Sequence, residues 1–593
     1  MNRMSPMPSN RSVFSSIFPF LVVAILCGVP LLLFSAAANP ETLLVTMQRE
    51  LQRASAALAK SDPAPYFLSY SVADLDSATV VAMNGSLVIS AHEQERQADV
   101  TMRVGSPALD NTHGQSRPTG MTSGFLPLGD DPDATARVLW QLTNREYEKA
   151  APAFVQVKTR LAVEAEQEDK SPDFSREWPQ THLDPAARPS LSFDPGQWGD
   201  RVKRLSAGFL KYPEVYSSYV SVSVEANKSY FATTEGTALV RPSAIARLVM
   251  EAETRADDGM GLLRVETFQA DSPNQLPTDA QLQAKVIKMA ADVKALRTAP
   301  VADAYAGPAM LSGRAAAVFF HEVLGHRLEG HRQRDETQGQ TFTKQMGQLV
   351  LPSFLSVADD PTLKQLNGGR LSGSYDFDDE GMPAARVQAV DKGILRNFLM
   401  SRMPIADLSQ SNGHGRRQAG TGLMPTGRQG NLIVTSTNTV TDAQLRQRFI
   451  AEIKKQSKPY GLYFEDIQGG FTLTSRAQPQ VFQVLPVMVW RVYADGRPDE
   501  LVRGVDIVGT PLVALNSILV TGDTVEIFNG MCGAESGQVP VSAAAPAMLF
   551  SQLEVQKRSS GTDRPPILPP PGTNDSVSIS LFPRGVPVPG ANQ

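Results

Sequence analysis

In residues 41–60, "ETLLVTMQRELQRASAALAK", the apolar positions Leu44, Met47, Leu51, Ala54 and Leu58 recur at helical spacing. They predict an amphipathic helix of about five turns. The next stretch, "PYFLSYSVADLDSATVVAMNGSLVISAHEQERQADVTMRV", alternates apolar and polar residues and predicts successive strands broken at turns such as "MNGS". Residues 130–200 are polar and Pro-rich around a predicted helix at 133–150, and read as an insertion or boundary region. Strand-like alternation returns in "VYSSYVSVSVEANKSYFATTEGTALV", with turns expected at "ANKS" and "TEGT". A helix is expected over about 278–297, where Val286, Met289, Val293 and Leu296 share a face.

From about residue 305 the pattern changes. "SGRAAAVFFHEVLGHRLEGH" is rich in helix formers and has no turn signal before Gly330, which predicts one helix. Beyond 365, Gly-punctuated strands dominate, among them "RVQAVDKGILRNFLM", "NLIVTST" and "NSILVTGDTVEIFNG". The expected architecture is α+β: a small N-terminal helix-plus-strands domain over 39–304, with a polar insertion around 105–200, and a large β-rich C-terminal domain over 305–558 that carries the His-bearing helix. The Pro-rich tail, 559–593, has little to bury and is expected to be disordered.

The first 40 residues differ from the rest. Arg3 and Arg11 precede an apolar run from Phe18 to Phe34, followed by "SAAANP". This order describes an export signal over 1–38 with cleavage after Ala38; an uncleaved membrane anchor is the alternative. The expected location is periplasmic or extracellular. Of the two cysteines, Cys27 lies in this signal, which leaves Cys532 as a solitary thiol. In an oxidising compartment such a thiol needs burial or a bound partner.

Bulk composition adds little. At 593 residues, with 42% hydrophobic and 20% charged, the chain is an ordinary globular protein of more than one core. A formal net charge of -5 and the lack of a long basic run argue against a nucleic-acid partner.

Three of the seven histidines fall in "HEVLGHRLEGH", residues 321–331. His321 and His326 supply neutral nitrogen ligands, and Glu322 a carboxylate able to take a proton from metal-bound water. The familiar zinc-hydrolase spacing is H-E-x-x-H. Here one residue more intervenes, and five steps of about 100° leave the second ring about 140° off the first. A single widened π-turn at Gly325 is the expected remedy. Glu329 and His331 are local candidates for a third ligand and Cys532 a distant one; a thiolate suits zinc, and Cys532 is favoured. Glu329 is expected to orient a ligand by hydrogen bonding, and a turn at "NG" to present Cys532 after the strand "DTVEIF". In "GHGRRQ", Arg416 and Arg417 beside His414 are either solvated or hold a carboxylate, from a substrate terminus or from the acidic loop "DFDDE".

"HEVLGHRLEG" resembles the signature of the TldD/PmbA family of zinc-dependent peptidases. "YDFDDEGMPA" (375–384), "GHGRRQ" (413–418), "GLYFEDIQGG" (461–470), "GTPLVALNSILVTGD" and "MCGAESGQVPVSAAAPAMLF" look like family segments in the same order. The resemblance implies Zn2+ held by His321, His326 and Cys532, with Glu322 as catalytic base. It also implies a homodimer or a heterodimer with a related subunit, and unfolded peptide substrates bound in extended form against a strand edge. The expected function is an exported zinc metallopeptidase in which Glu322 activates a zinc-bound water. A partner subunit that holds peptides around a structural zinc without cutting them is the alternative. The family's familiar members are cytosolic, so the export signal is a departure from it. A redox or metal-storage role for Cys532 is disfavoured by the lack of a C-x-x-C pair.

Overall fold

The computed structural model describes residues 40–114, 120–163, 169–335, 337–338, 341–472, 474, 481–558 and 564–566. The expected export signal and nearly all of the expected tail lie outside the described residues. The first helix, α1 (Pro40–Leu58), turns Leu44, Met47, Leu51 and Ala54 into the core. Strands β1 (Pro65–Met83) and β2 (Ser86–Ser106) form a hairpin around Asn84 and Gly85. Both turn residues have positive φ, 50° and 79°, the backbone that a two-residue turn between right-twisted strands needs. β3 (Met121–Phe125) pairs with β2. The helix expected at 133–150 is longer: α2 (Pro132–Leu161) is capped by Asp131, whose carboxylate accepts from the Asp133 and Ala134 amides. α2 buries Leu139, Leu142 and Ala150 in the same core as α1, and α3 (Pro195–Ala207) buries Trp198, Val202 and Leu205. Much of the region read as a polar insertion is therefore core structure, because its apolar residues are spaced too widely to stand out among polar ones.

β4 (Ser217–Thr233), β5 (Ala238–Arg255) and β6 (Gly261–Ala270) continue the sheet. With two short strands at its ends it has eight strands among the described residues, in the order β2-β1-β4-β5 through its middle. The turn expected at "ANKS" is absent. β4 runs straight through Ala226–Ser229, because it is central: Asn227 pairs with Leu75 on one side and Ser243 on the other. The turn at "TEGT" is present, where Thr233 N donates to Thr237 O. α4 (Asp279–Thr298) closes this layer, opened by a capping box between Thr278 and Gln281. The N-terminal part, 40–298, is as long as the part that follows, so it is not small.

The second sheet has twelve strands among the described residues. β7 (Tyr305–Leu311) leads into the His-bearing helix α5 (Gly313–Val323). Later strands are β8 (Leu355–Asp359), β9 (Val387–Asp391) and β10 (Asn431–Ser436). After α6 (Asp442–Lys455) come β11 (Tyr460–Thr472), β12 (Phe482–Tyr493) and β13 (Val505–Gly509). β14 (Ile518–Ala534) and β15 (Gly537–Lys557) form the last hairpin. The order β15-β13-β12-β11-β7 closes on itself, because β7 also pairs with β15. α5 packs on β11, β14 and β15, with Phe319 edge-on to Phe482 and Phe550. Apart from Arg314 it is buried along its whole length, which explains its nearly unbroken apolar sequence. From Pro40 the chain is one unit, in which Arg264–Asp466 (2.5 Å) joins the two sheets, and Arg417–Asp99 (2.6 Å) and Arg402–Glu235 (2.7 Å) tie loops of the C-terminal part to the N-terminal part. The mixed helix and sheet content is that of an α+β protein. Among the described residues no helix is long and apolar enough to cross a membrane.

Candidate metal centre

α5 starts at Ser312, whose hydroxyl accepts from the Ala315 amide at 3.1 Å, and it carries His321 and Glu322 in its last turn. The expected π-turn is not formed. The helix ends at Val323, Leu324 takes φ -107°, and Gly325–Leu328 form a tighter 3-10 turn. Re-aiming His326 is thus achieved by breaking the helix rather than by widening it. The cause is tertiary. A Cβ on Gly325 would lie 1.9 Å from Gln429 Oε1, so the glycine admits a side chain from across the domain, and Gln429 Nε2 donates to His321 O at 3.3 Å.

The break turns the two imidazoles toward each other, with ring centroids 5.0 Å apart. Cys532 joins them from β14: donor atoms of His321, His326 and Cys532 all lie within 4.8 Å of one another, and all three side chains are buried. Cys532 Sγ stands 3.5 Å from His326 Nε2. Asn529 and Gly530 do not form the turn expected before the cysteine; they lie inside β14, with Cys532 paired to Val539. Arg428, which the sequence did not mark, fixes this segment. It is fully buried and donates to Cys532 O (2.7 Å), Ser536 Oγ (2.8 Å) and Gly537 O (3.0 Å). Its Nε lies 3.4 Å from Glu329 Oε1. The only hint in sequence is an arginine within the Gly-flanked "GRQG".

Glu329 contacts His326. Its Oε1 is 3.1 Å from His326 Nδ1, which leaves Nε2 directed at Cys532. Burial would raise the Glu329 pKa, but His326 and Arg332 bring it down to about 2. Burial would likewise raise the Cys532 thiol, yet the two imidazoles hold it well below the usual thiol range. His326 shows the converse: burial disfavours its charge, and Cys532 and Glu329 more than offset that, so its pKa is raised. Two imidazoles and a sulfur that favours its thiolate form a donor set suited to a soft or borderline divalent ion such as zinc. Glu322 lies beside that set, its Oε2 3.8 Å from His326 Nε2. β11 passes close by, and a Cβ on Gly470 would stand 2.9 Å from Glu322 Cγ.

The remaining predicted residues sit elsewhere. His331 opens a short helix, His331–Arg334, with Nε2 3.7 Å from Glu535 Oε2. Between Glu329 and Glu535, Arg332 supplies the positive charge, at 2.8 and 2.5 Å. His414 is buried, with Nε2 3.2 Å from Asp359 Oδ1. Arg416 and Arg417 are not solvated. Arg416 Nη1 donates to Gln429 O at 2.6 Å, and Arg417 pairs with Asp99. The acidic loop is held by backbone amides: Gly415 N donates to Asp378 and Arg417 N to Asp379, each at 2.8 Å. "GHGRRQ" is therefore a strut supporting Gln429 and the acidic loop.

Residues 305–557 match the model of the PmbA/TldA metallopeptidase C-terminal domain. A metalloprotease TldD homolog of Buchnera aphidicola is 26% identical over 251 residues, covering 42% of this chain and 47% of that protein. A zinc metalloprotease TldD homolog of Saccharolobus solfataricus is 25% identical over 253 residues, 42% of this chain and 51% of that one. The chain spans about half the length of the curated relatives it matches. In fold it is similar to TldE from Thermococcus kodakarensis, with a TM-score of 0.53 and 13% identity over 86% of this chain and all of that one. Residues 305–557 are thus a C-terminal domain of the PmbA/TldD metallopeptidase family.

Proposed function

We infer that this chain is an exported zinc metallopeptidase acting on short or unfolded peptides. One observation carries the reading: His321, His326 and Cys532 converge within 4.8 Å with the Glu322 carboxylate beside them. When bound, zinc supplies a Lewis acid that polarises a carbonyl and acidifies water. Glu322 accepts a proton as the water oxygen attacks the peptide carbonyl carbon. It returns that proton to the departing nitrogen as the C–N bond breaks, and the second proton of the water passes from the new acid to the amine, leaving a carboxylate and an ammonium. Glu329 keeps His326 in the tautomer that offers Nε2. Gly470 lets strand β11 approach Glu322 closely.

The fold it shares with TldE favours one further reading, a subunit that holds peptides for a related partner. Glu322 separates the two, because a holding subunit has no need of a base. Assaying a peptide mixture with zinc-replete protein, with and without a chelator, tests the inference: chelator-sensitive cleavage is expected, and its absence from zinc-loaded protein refutes it.

A further inference from the structure

Arg428 and Gln429 are adjacent and fully buried, and their backbone is fixed group by group. Arg428 N donates to His414 O at 2.9 Å, and Gln429 O accepts from Arg416 Nη1 at 2.6 Å. The next two amides, of Gly430 and Asn431, each donate to Asp359 Oδ1 at 3.0 Å, and His414 Nε2 meets the same oxygen at 3.2 Å. A segment tied at four successive residues carries its side chains at fixed points, and what those side chains hold is placed with them.

The two side chains reach the setting of all three metal donors. Arg428 Nη2 donates to Cys532 O (2.7 Å), and Nη1 donates to Ser536 Oγ (2.8 Å) and Gly537 O (3.0 Å) in the turn that follows. Among the described residues, β14 is paired with another strand on one side only at Cys532, and Arg428 gives its carbonyl a further anchor. Nε of the same guanidinium lies 3.4 Å from Glu329 Oε1, the oxygen that stands 3.1 Å from His326 Nδ1. Gln429 Nε2 donates to His321 O (3.3 Å), at the turn where α5 breaks. One dipeptide thus holds the carbonyls of Cys532 and His321 and abuts the carboxylate that orients His326.

We propose that Arg428 and Gln429 are positioning residues of the metal centre: Arg428 sets the sulfur arm, and with it the preference for thiophilic ions, and Gln429 sets the His321 arm. Two imidazoles with a thiolate favour soft or borderline ions, and two imidazoles without the sulfur lose that preference. The bonds that place Cys532 therefore decide which ion the site selects. The inference rests on the metal-binding part of the reading above and not on hydrolysis.

Chelator-treated full-length protein is titrated with Co2+. Thiolate-to-cobalt charge-transfer absorption in the near ultraviolet reports sulfur among the donors, and the visible bands report the whole donor set. Cd2+ and Zn2+ affinities are measured by competition with a chromogenic chelator. Arg428→Lys keeps the charge, but one ammonium cannot span the strand, the turn and Glu329. It should lose most of the charge-transfer intensity, with Cd2+ affinity down about 10- to 100-fold and Zn2+ affinity down by less. Gln429→Ala should keep the charge-transfer band and shift the visible ones. Arg428→Lys protein with a lower Tm but the wild-type band and Cd2+/Zn2+ preference makes Arg428 merely structural and overturns the proposal. Gln429→Ala protein that loses the band to the same degree overturns the division into two arms. Should Arg428→Lys fail to fold, Ser536→Ala takes one acceptor from Nη1 and is read in the same way: a weakened band supports the proposal and an unchanged one overturns it. Wild-type protein that binds Co2+ without the band also overturns it, and leaves the peptidase reading open. Wild-type protein that binds neither Co2+ nor Zn2+ refutes both. The predicted spectra without any peptide hydrolysis by the zinc-loaded enzyme refute the peptidase reading alone.

Discussion

Cys532 and His326 are 206 residues apart in sequence, and their Sγ and Nε2 atoms are 3.5 Å apart in space. The contact exists because β14 carries the cysteine across the domain to the broken end of α5. It makes the donor set non-local, so Cys532→Ala should lose zinc outright, by metal analysis after zinc-replete purification, while the fold persists. A full complement of zinc in that variant means the third ligand is local.

Glu329 acts on His326 through Nδ1 rather than by joining the donor set. Glu329→Gln should keep zinc, with affinity or activity reduced about 10- to 100-fold. Zinc loss as complete as in Cys532→Ala contradicts this placement.

Gly325 has no room for a side chain, because Gln429 fills the space where its Cβ would stand. Gly325→Ala must displace Gln429 and cost its bond to His321 O, so a lower Tm and weaker zinc retention are expected. Unchanged values for both rule out a role for Gln429 in setting the helix break.

Away from the metal centre, Glu146 on α2 is buried, with one oxygen on Thr122 Oγ1 (2.6 Å) and the other without a hydrogen-bond partner among the described residues. Burial raises its pKa to about 7 against the lowering effects of Thr122 and Lys149. The folded state therefore holds this proton more tightly than the unfolded state does. Its contribution to stability is complete below the ordinary value near 4.5 and is lost as pH rises from there through about 7. Glu146→Gln should be more stable than wild type at pH 8, by up to roughly 3 kcal/mol, and should show little of that gain at pH 4.5. Urea denaturation at the two pH values decides it, and equal differences at both exclude the effect.

Local patterns were legible in the sequence where the structure is local. α1 and α4 follow their apolar spacing, and the β1–β2 hairpin follows from Asn84-Gly85. Convergence of His321, His326 and Cys532 follows from ligand chemistry together with the family resemblance. What could not be read was set by contacts from far along the chain. "ANKS" has turn composition but lies between two partners in a sheet, which suppresses the turn. "AAAVFFHEVLGHRL" is made of helix formers, and its break at Leu324 depends on Gln429, which lies over 100 residues away. Arg416, Arg417 and Arg428 look like surface charges until Asp99, Gln429 O and Cys532 O surround them.

The most direct test compares Glu322→Gln with wild type, measuring bound zinc and peptide hydrolysis on the same samples. Glu322 lies beside the donor set without belonging to it, so the variant should hold about one zinc per chain and lose hydrolysis by a factor of about 100 or more. Hydrolysis at the wild-type rate by the zinc-loaded variant would contradict the assignment of Glu322 as the base, and with it the proposed reaction.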